Sequence, residues 1–234
     1  MTDPAEEGPI PSFEDLRETI AQNRQGDPLI GPKIGSQLAL EGLLRELGSE
    51  RGVHAETLMA CTGILMGQSI QASLWAEARE QGMARVPGLQ EVQCQDGSIK
   101  FVGDPLNRGL MEGYGSPWEM LSEAARQEGC EALPDQESLL LEGIRRLCTP
   151  AFGLPQVPPT HAPQVLSLQE RGELWHWIQP MCQACCSEPE EWPLLCSLLA
   201  VRALRLVQPH VPPEVAWRLA MDAAIDATKV PLGD

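Results

Sequence analysis

The chain reads as mainly α, a multi-helix globular bundle around one long buried central helix, with a single β-hairpin at about 90–102. Three observations predict this. The stretch from Ala55 to Gln81 contains no proline and is bracketed by Gly52 and Gly82, which marks one long helix. Its apolar residues fall on more than one side of the helical wheel, with Leu58, Leu65, Ala72 and Trp75 along one stripe and Met59, Met66, Ile70 and Leu74 along another. A helix apolar nearly all round is a buried one. After Gly82 the apolar period changes from helical spacing to strict alternation.

Composition narrows the function classes. The 234 residues can build a real core, and 12–234 reads as one helical domain preceded by a disordered acidic tail, 1–11. The 17 basic and 33 acidic side chains give a formal net charge of −16, which repels phosphate backbones and anionic lipid. Nucleic acid and membrane are therefore not expected as partners. The most apolar runs, Leu58–Gly67 and Trp192–Val201, fall short of the roughly 20 residues a bilayer requires. The start, MTDPAEEGPIPS, is acidic and proline-rich rather than basic and then apolar, so a soluble, cytoplasmic protein is expected. The eight cysteines sit inside apolar patterns, where reduced thiols are the expected state.

In chain order, Ser12 with Asp15 three residues on opens a short helix whose apolar face is Phe13, Leu16 and Ile20. The segment Gly26–Ser36 has glycines and a lysine, but Pro32 separates Gly31 from Lys33 and no strand precedes it, so it is not a phosphate-cradling loop. Leu40, Leu43, Leu44 and Leu47 predict a helix over about Lys33–Leu47, and the long central helix follows. A turn centred on Asp96-Gly97 pairs Cys94 with Ile99 and Val92 with Phe101, which puts those four residues on one face. Ser116-Pro117-Trp118-Glu119 is the clearest helix start, and that helix stops at Gly129. Asp135–Cys148 is another, with Leu140, Ile144, Leu147 and Cys148 on its stripe. The five prolines between Thr149 and Gln164 make that stretch either a subdomain boundary, at about 149–166, or a strap over one domain. Ser167 with Glu170 caps the next helix, striped by Leu174, Ile178, Met181 or Cys182, and Cys185, and kinked near Pro180. A second buried helix follows Pro189, and Pro212-Pro213-Glu214 opens the last one.

Four constellations could carry chemistry. The glycine-rich stretch 103–119 is read as a loop that delivers Asp104, Asn107, Arg108, Tyr114 and Glu119 to a helix N-terminus, where an anionic ligand is favoured; ordinary turn chemistry is the plainer explanation. Cys182, Cys185, Cys186 and Cys196 include a Cys-x-x-Cys spacing, although a metal site would need Cys196 brought in from outside, with His161 as an optional further ligand, and buried thiols packing as apolar residues are favoured. Asp222 and Asp226, one turn apart, have a spacing that could hold a metal from one face, but they lie on one strip with Arg218 and Lys229 and read as a solvated salt-bridge ladder. Trp177 lies at the edge of its helix stripe, either as an interface anchor or as a ring covered by the proline-rich segment.

No nucleophile elbow, zinc-protease motif or dinucleotide fingerprint occurs, and no cofactor is expected. The leading expectation is a non-catalytic helical protein acting through protein contacts, as a homodimer or with another protein. A binder or enzyme using 103–119, and a thiol metal or redox protein, stand as alternatives.

Overall fold

The computed structural model describes residues 12–50, 52–113, 115–164 and 168–232. The tail 1–11, Tyr114 and the expected cap at Ser167 and Glu170 lie outside the described residues or side chains. Among the described residues there are nine α-helices and one antiparallel ribbon: α1 Phe13–Asn23, α2 Ile30–Glu46, α3 Ala55–Glu80, β1 Gln90–Gln93, β2 Ile99–Val102, α4 Asp104–Met111, α5 Pro117–Gln127, α6 Gln136–Arg146, α7 Leu168–Cys185, α8 Trp192–Val207 and α9 Pro213–Ala227. No described helix is long and apolar enough to cross a membrane.

The long helix α3 is the centre of the molecule, shielded on nearly every residue from Thr57 to Ser73 and packed chiefly against α9 and α8. Gly63 and Gly67 set the closeness of the first contact: a methyl on either would collide with the carbonyl of Ala220 or Ala224. The polar groups that this burial removes from water are satisfied locally. Thr62 and Ser69 hydroxyls donate to the carbonyls of Met59 and Met66, each at 2.8 Å. The Gln71 amide donates to the Thr228 and Val230 carbonyls and accepts from the Leu232 N–H, which fastens the chain's last described turn to α3.

Several local expectations shift by a turn or a face. In α1, Leu16 and Ile20 are buried while Phe13 is exposed. α2 starts at Ile30, before the expected Lys33, because Pro32 falls in the first turn, where the missing N–H costs no helical bond. Part of the glycine-rich stretch expected as a loop is α4, which buries Leu106, Leu110 and Met111.

The hairpin is present in a different register. β1 and β2 pair Gln93 with Ile99, Val92 with Lys100 and Glu91 with Phe101, one residue from the expected pairing. The Gly97 N–H donates to the Cys94 carbonyl at 3.0 Å and Gly97 takes φ +83°, so the turn has an extra left-handed residue instead of two central ones. A one-residue slip exchanges the faces of β2. Ile99 is exposed and Lys100 is buried, with its ammonium 4.7 Å from the Phe152 ring centre. The ribbon rests on helices: Phe101 packs against Trp75, and its N–H donates to the Lys229 carbonyl at 2.8 Å.

α6 is likewise turned from its expected stripe. Its inward residues are Leu139, Gly143 and Arg146, while Ile144 is 51% exposed. Gly143 allows the approach, since a methyl there would meet Ile225 of α9 at 2.6 Å. Arg146 requires it, for reasons that lie in the site below.

Candidate functional site

The richest chemistry gathers where the proline-rich segment 149–164 crosses α9 and α3. This segment has almost no regular structure, so its backbone donors need outside acceptors. α9 supplies them. The Gly153 N–H donates to Asp226 Oδ2 at 2.9 Å and the Gln156 N–H donates to Asp222 Oδ2 at 2.7 Å. At the far end, the Gln164 N–H donates to Thr57 Oγ1 at 2.9 Å, and His161 Nδ1 lies 2.9 Å from Glu56 Oε1. The segment is a strap held by side chains of the helices beneath it.

The expected solvated ladder on α9 is corrected by this arrangement. Asp222 is 1% exposed and Asp226 2%, and Lys229 is buried as deeply. The strap and α6 cover the strip, and α6 brings the cation that makes the burial tolerable. Arg146 Nη2 reaches both aspartates, at 3.4 Å each, and its Nη1 donates to the Leu154 carbonyl at 2.8 Å. Arg218 donates to Asp222 at 2.9 Å, to the Gln156 side chain at 3.1 Å, and to Glu142 in a short bond. Three cations, Arg146, Arg218 and Lys229, therefore face three carboxylates, Glu142, Asp222 and Asp226. Buried charge is costly unless it is paired and hydrogen-bonded, and here nearly all of it is. The Nε of Arg146 is the exception, buried with no partner among the described residues.

Burial acts on the titration of this cluster. It pushes the Asp226 carboxyl up to about 6, with Arg146 and the Gly153 N–H opposing it. Burial also pulls Lys229 down against the pull of Asp226. For Arg218, burial would lower the guanidinium, but Asp222 and Glu142 outweigh it and hold it above its ordinary value.

Beneath the strap lies a cavity of about 250 Å³. Ala60 and Ile64 of α3 and Ala223 and Asp226 of α9 form its floor; Gly153, Leu154, Pro155, Val157, Ala162, Pro163 and Gln164 form its roof. Its walls are mostly apolar, and among the described residues Asp226 is the one charged side chain in them. A second, more open groove of about 460 Å³ is edged by Trp75, Phe101, Trp175 and Trp192, with Arg79 and His176 at its side.

The residues singled out from the sequence are distributed elsewhere. Asp104 and Arg108 sit on α4 as an exposed pair 3.0 Å apart, Asn107 is half-buried on the same helix, and Glu119 accepts the Gly115 N–H at 2.8 Å. Cys182, Cys185 and Cys196 are buried and Cys186 half-buried. The hydrogen bond with Cys196, and burial after it, push the Cys182 thiol well up; burial alone takes Cys185 to about 11, and burial with Glu191 raises Cys186. No group of three or more His, Cys, Asp or Glu among the described residues is placed to hold a metal ion. His161, the further outside ligand considered for such a site, lies against Glu56. Trp177 is 36% exposed and leans on Gly42 of α2, where a methyl would fall 2.6 Å from its ring.

The expectation that all eight cysteines are reduced is corrected for two of them. Cys94 and Cys148 form a disulfide with Cα atoms 5.2 Å apart, joining the hairpin turn to the chain just before the strap. Neither lies inside an apolar helix or strand, and their separation of 54 residues leaves no local signal. Arg146 and the strap donors were also missed, since nothing in their own sequence neighbourhood marks them.

Comparison with protein-family models, curated proteins and solved structures finds no match to this chain.

Proposed function

We propose that the protein acts without catalysis, through protein contacts, and that its partner is a second copy docked along the outward face of α6. The observation that carries this reading is the turned helix: with Leu139, Gly143 and Arg146 committed inward, Leu141 and Ile144 are left exposed one turn apart. The same stripe begins at Glu137 and ends at Arg145, both exposed and neither in a salt bridge among the described residues. An antiparallel two-fold pairing would place the acid of each copy against the base of the other, with the leucine and isoleucine between them. Such an isologous contact is the commonest way for a chain to pair with itself. One short helix per copy buries less than a standard interface, so affinity is expected to be roughly micromolar.

Sedimentation equilibrium tests it. The native chain should dimerise with concentration, Leu141→Glu with Ile144→Glu should be monomeric, and Arg145→Glu should weaken association. Adding Glu137→Arg to Arg145→Glu should restore it. A native chain that stays monomeric at every concentration, or a charge swap without rescue, would sink the proposal.

A further inference from the structure

We propose that the cavity under the strap is a binding site for a small, neutral, mostly apolar molecule carrying one hydroxyl, with the hydroxyl donating to Asp226. The inference does not rest on the α6 pairing and uses none of its residues.

The apolar body follows from the walls. Ala60, Ile64, Ala223 and Val157 offer contact area and no hydrogen bonds, and the volume of about 250 Å³ lies just below the roughly 300–1,000 Å³ of most ligand sites, which limits the occupant to a compact molecule. The donor follows from the carboxylate. An ionised carboxyl has about four acceptor positions. Those of Asp226 receive one strong bond from the Gly153 N–H and one long contact at 3.4 Å from Arg146, which leaves acceptor capacity on a group that lines the cavity.

Neutrality follows from the count of charges. The cations Arg146, Arg218 and Lys229 already balance Glu142, Asp222 and Asp226, and of these carboxylates only the half-buried Glu142 reaches water. A ligand ammonium or carboxylate would break that balance, and unpaired charge there is expensive. A hydroxyl adds a hydrogen bond without adding charge. The route in is the strap itself, because Leu154 is at once part of the roof and largely exposed at the surface.

The test uses the full chain and four probes of matched length: hexan-1-ol, methyl pentyl ether, hexylammonium and hexanoate. Binding is read by titration calorimetry and by the Ile64 methyl resonance. Hexan-1-ol should bind saturably. The ether, which lacks the donor, should bind about three- to tenfold more weakly, the equivalent of one net hydrogen bond, and both ions should bind more weakly than the ether. Ala60→Leu from the floor and Ala162→Leu from the roof, each checked for folding by circular dichroism, should each abolish hexan-1-ol binding. Failure of all four probes to saturate, ether binding equal to alcohol binding, ions binding as tightly as the alcohol, or unchanged binding in either folded variant would overturn the proposal.

Discussion

The two sides of α9 are equally buried and chemically opposite. Toward α3 the contact is apolar and close, set by Gly63 and Gly67 under the carbonyls of Ala220 and Ala224. Toward the strap it is ionic, with Asp222 and Asp226 held between Arg146 and the backbone donors of Gly153 and Gln156. The first side gains from the hydrophobic effect wherever it finds a helix to meet. The second is stable only while each partner stays in place, since a buried charge that loses its counter-charge bears its desolvation cost alone. Burial is thus forgiving on one face of a helix and unforgiving on the other.

Removing the shared cation should break this comparison most sharply. Arg146→Ala removes the one cation shared by both buried aspartates, leaving Asp222 to Arg218 and Asp226 to Lys229, and is expected to cost roughly 3–5 kcal/mol in urea unfolding. A loss below about 1 kcal/mol would mean that the strip is solvated after all.

The next effect depends on pH. An ordinary aspartate titrates at 3.8 and Asp226 in the fold at about 6, so the folded protein holds this proton more tightly than the unfolded chain does. The stabilising contribution is therefore complete below about 3.8 and is lost as pH rises through about 6. The charges facing Asp226 are Arg146 from α6 and Asp222 and Lys229 from the α9 side. The stability of the native chain relative to Asp226→Asn should fall by roughly 3 kcal/mol across that window. A flat difference curve would contradict the burial of this carboxyl.

The apolar side should respond less. Gly67→Ala places a methyl against the Ala224 carbonyl, and the cost of overpacking is about 1–3 kcal/mol, independent of pH between 4 and 7.

The same contrast explains what the sequence made legible. α3 was readable because its signal is local: a long apolar run without proline, bounded by glycines. The start of α5 was readable for the same reason, and Ser116 does cap it, accepting the Glu119 N–H at 3.3 Å. The ribbon's position was legible but its register was not, because the left-handed Gly97 adds a residue to the turn and the buried Lys100 lies over the half-buried ring of Phe152, 52 residues away. The face of α6 was read wrongly because periodicity counts Ile144 as core and Arg146 as surface, whereas the aspartates of α9 reverse both. Of the site, Asp222 and Asp226 were visible as a pair; their enclosure was not, since it depends on a strap some 70 residues distant.

Hydrogen exchange at the Gly153 and Gln156 amides tests the central claim most directly. If the strap is fastened to the buried aspartates, both amides exchange slowly in the native chain, and Asp226→Asn speeds Gly153 selectively. Exchange of both at the rate of an unstructured chain would contradict the account.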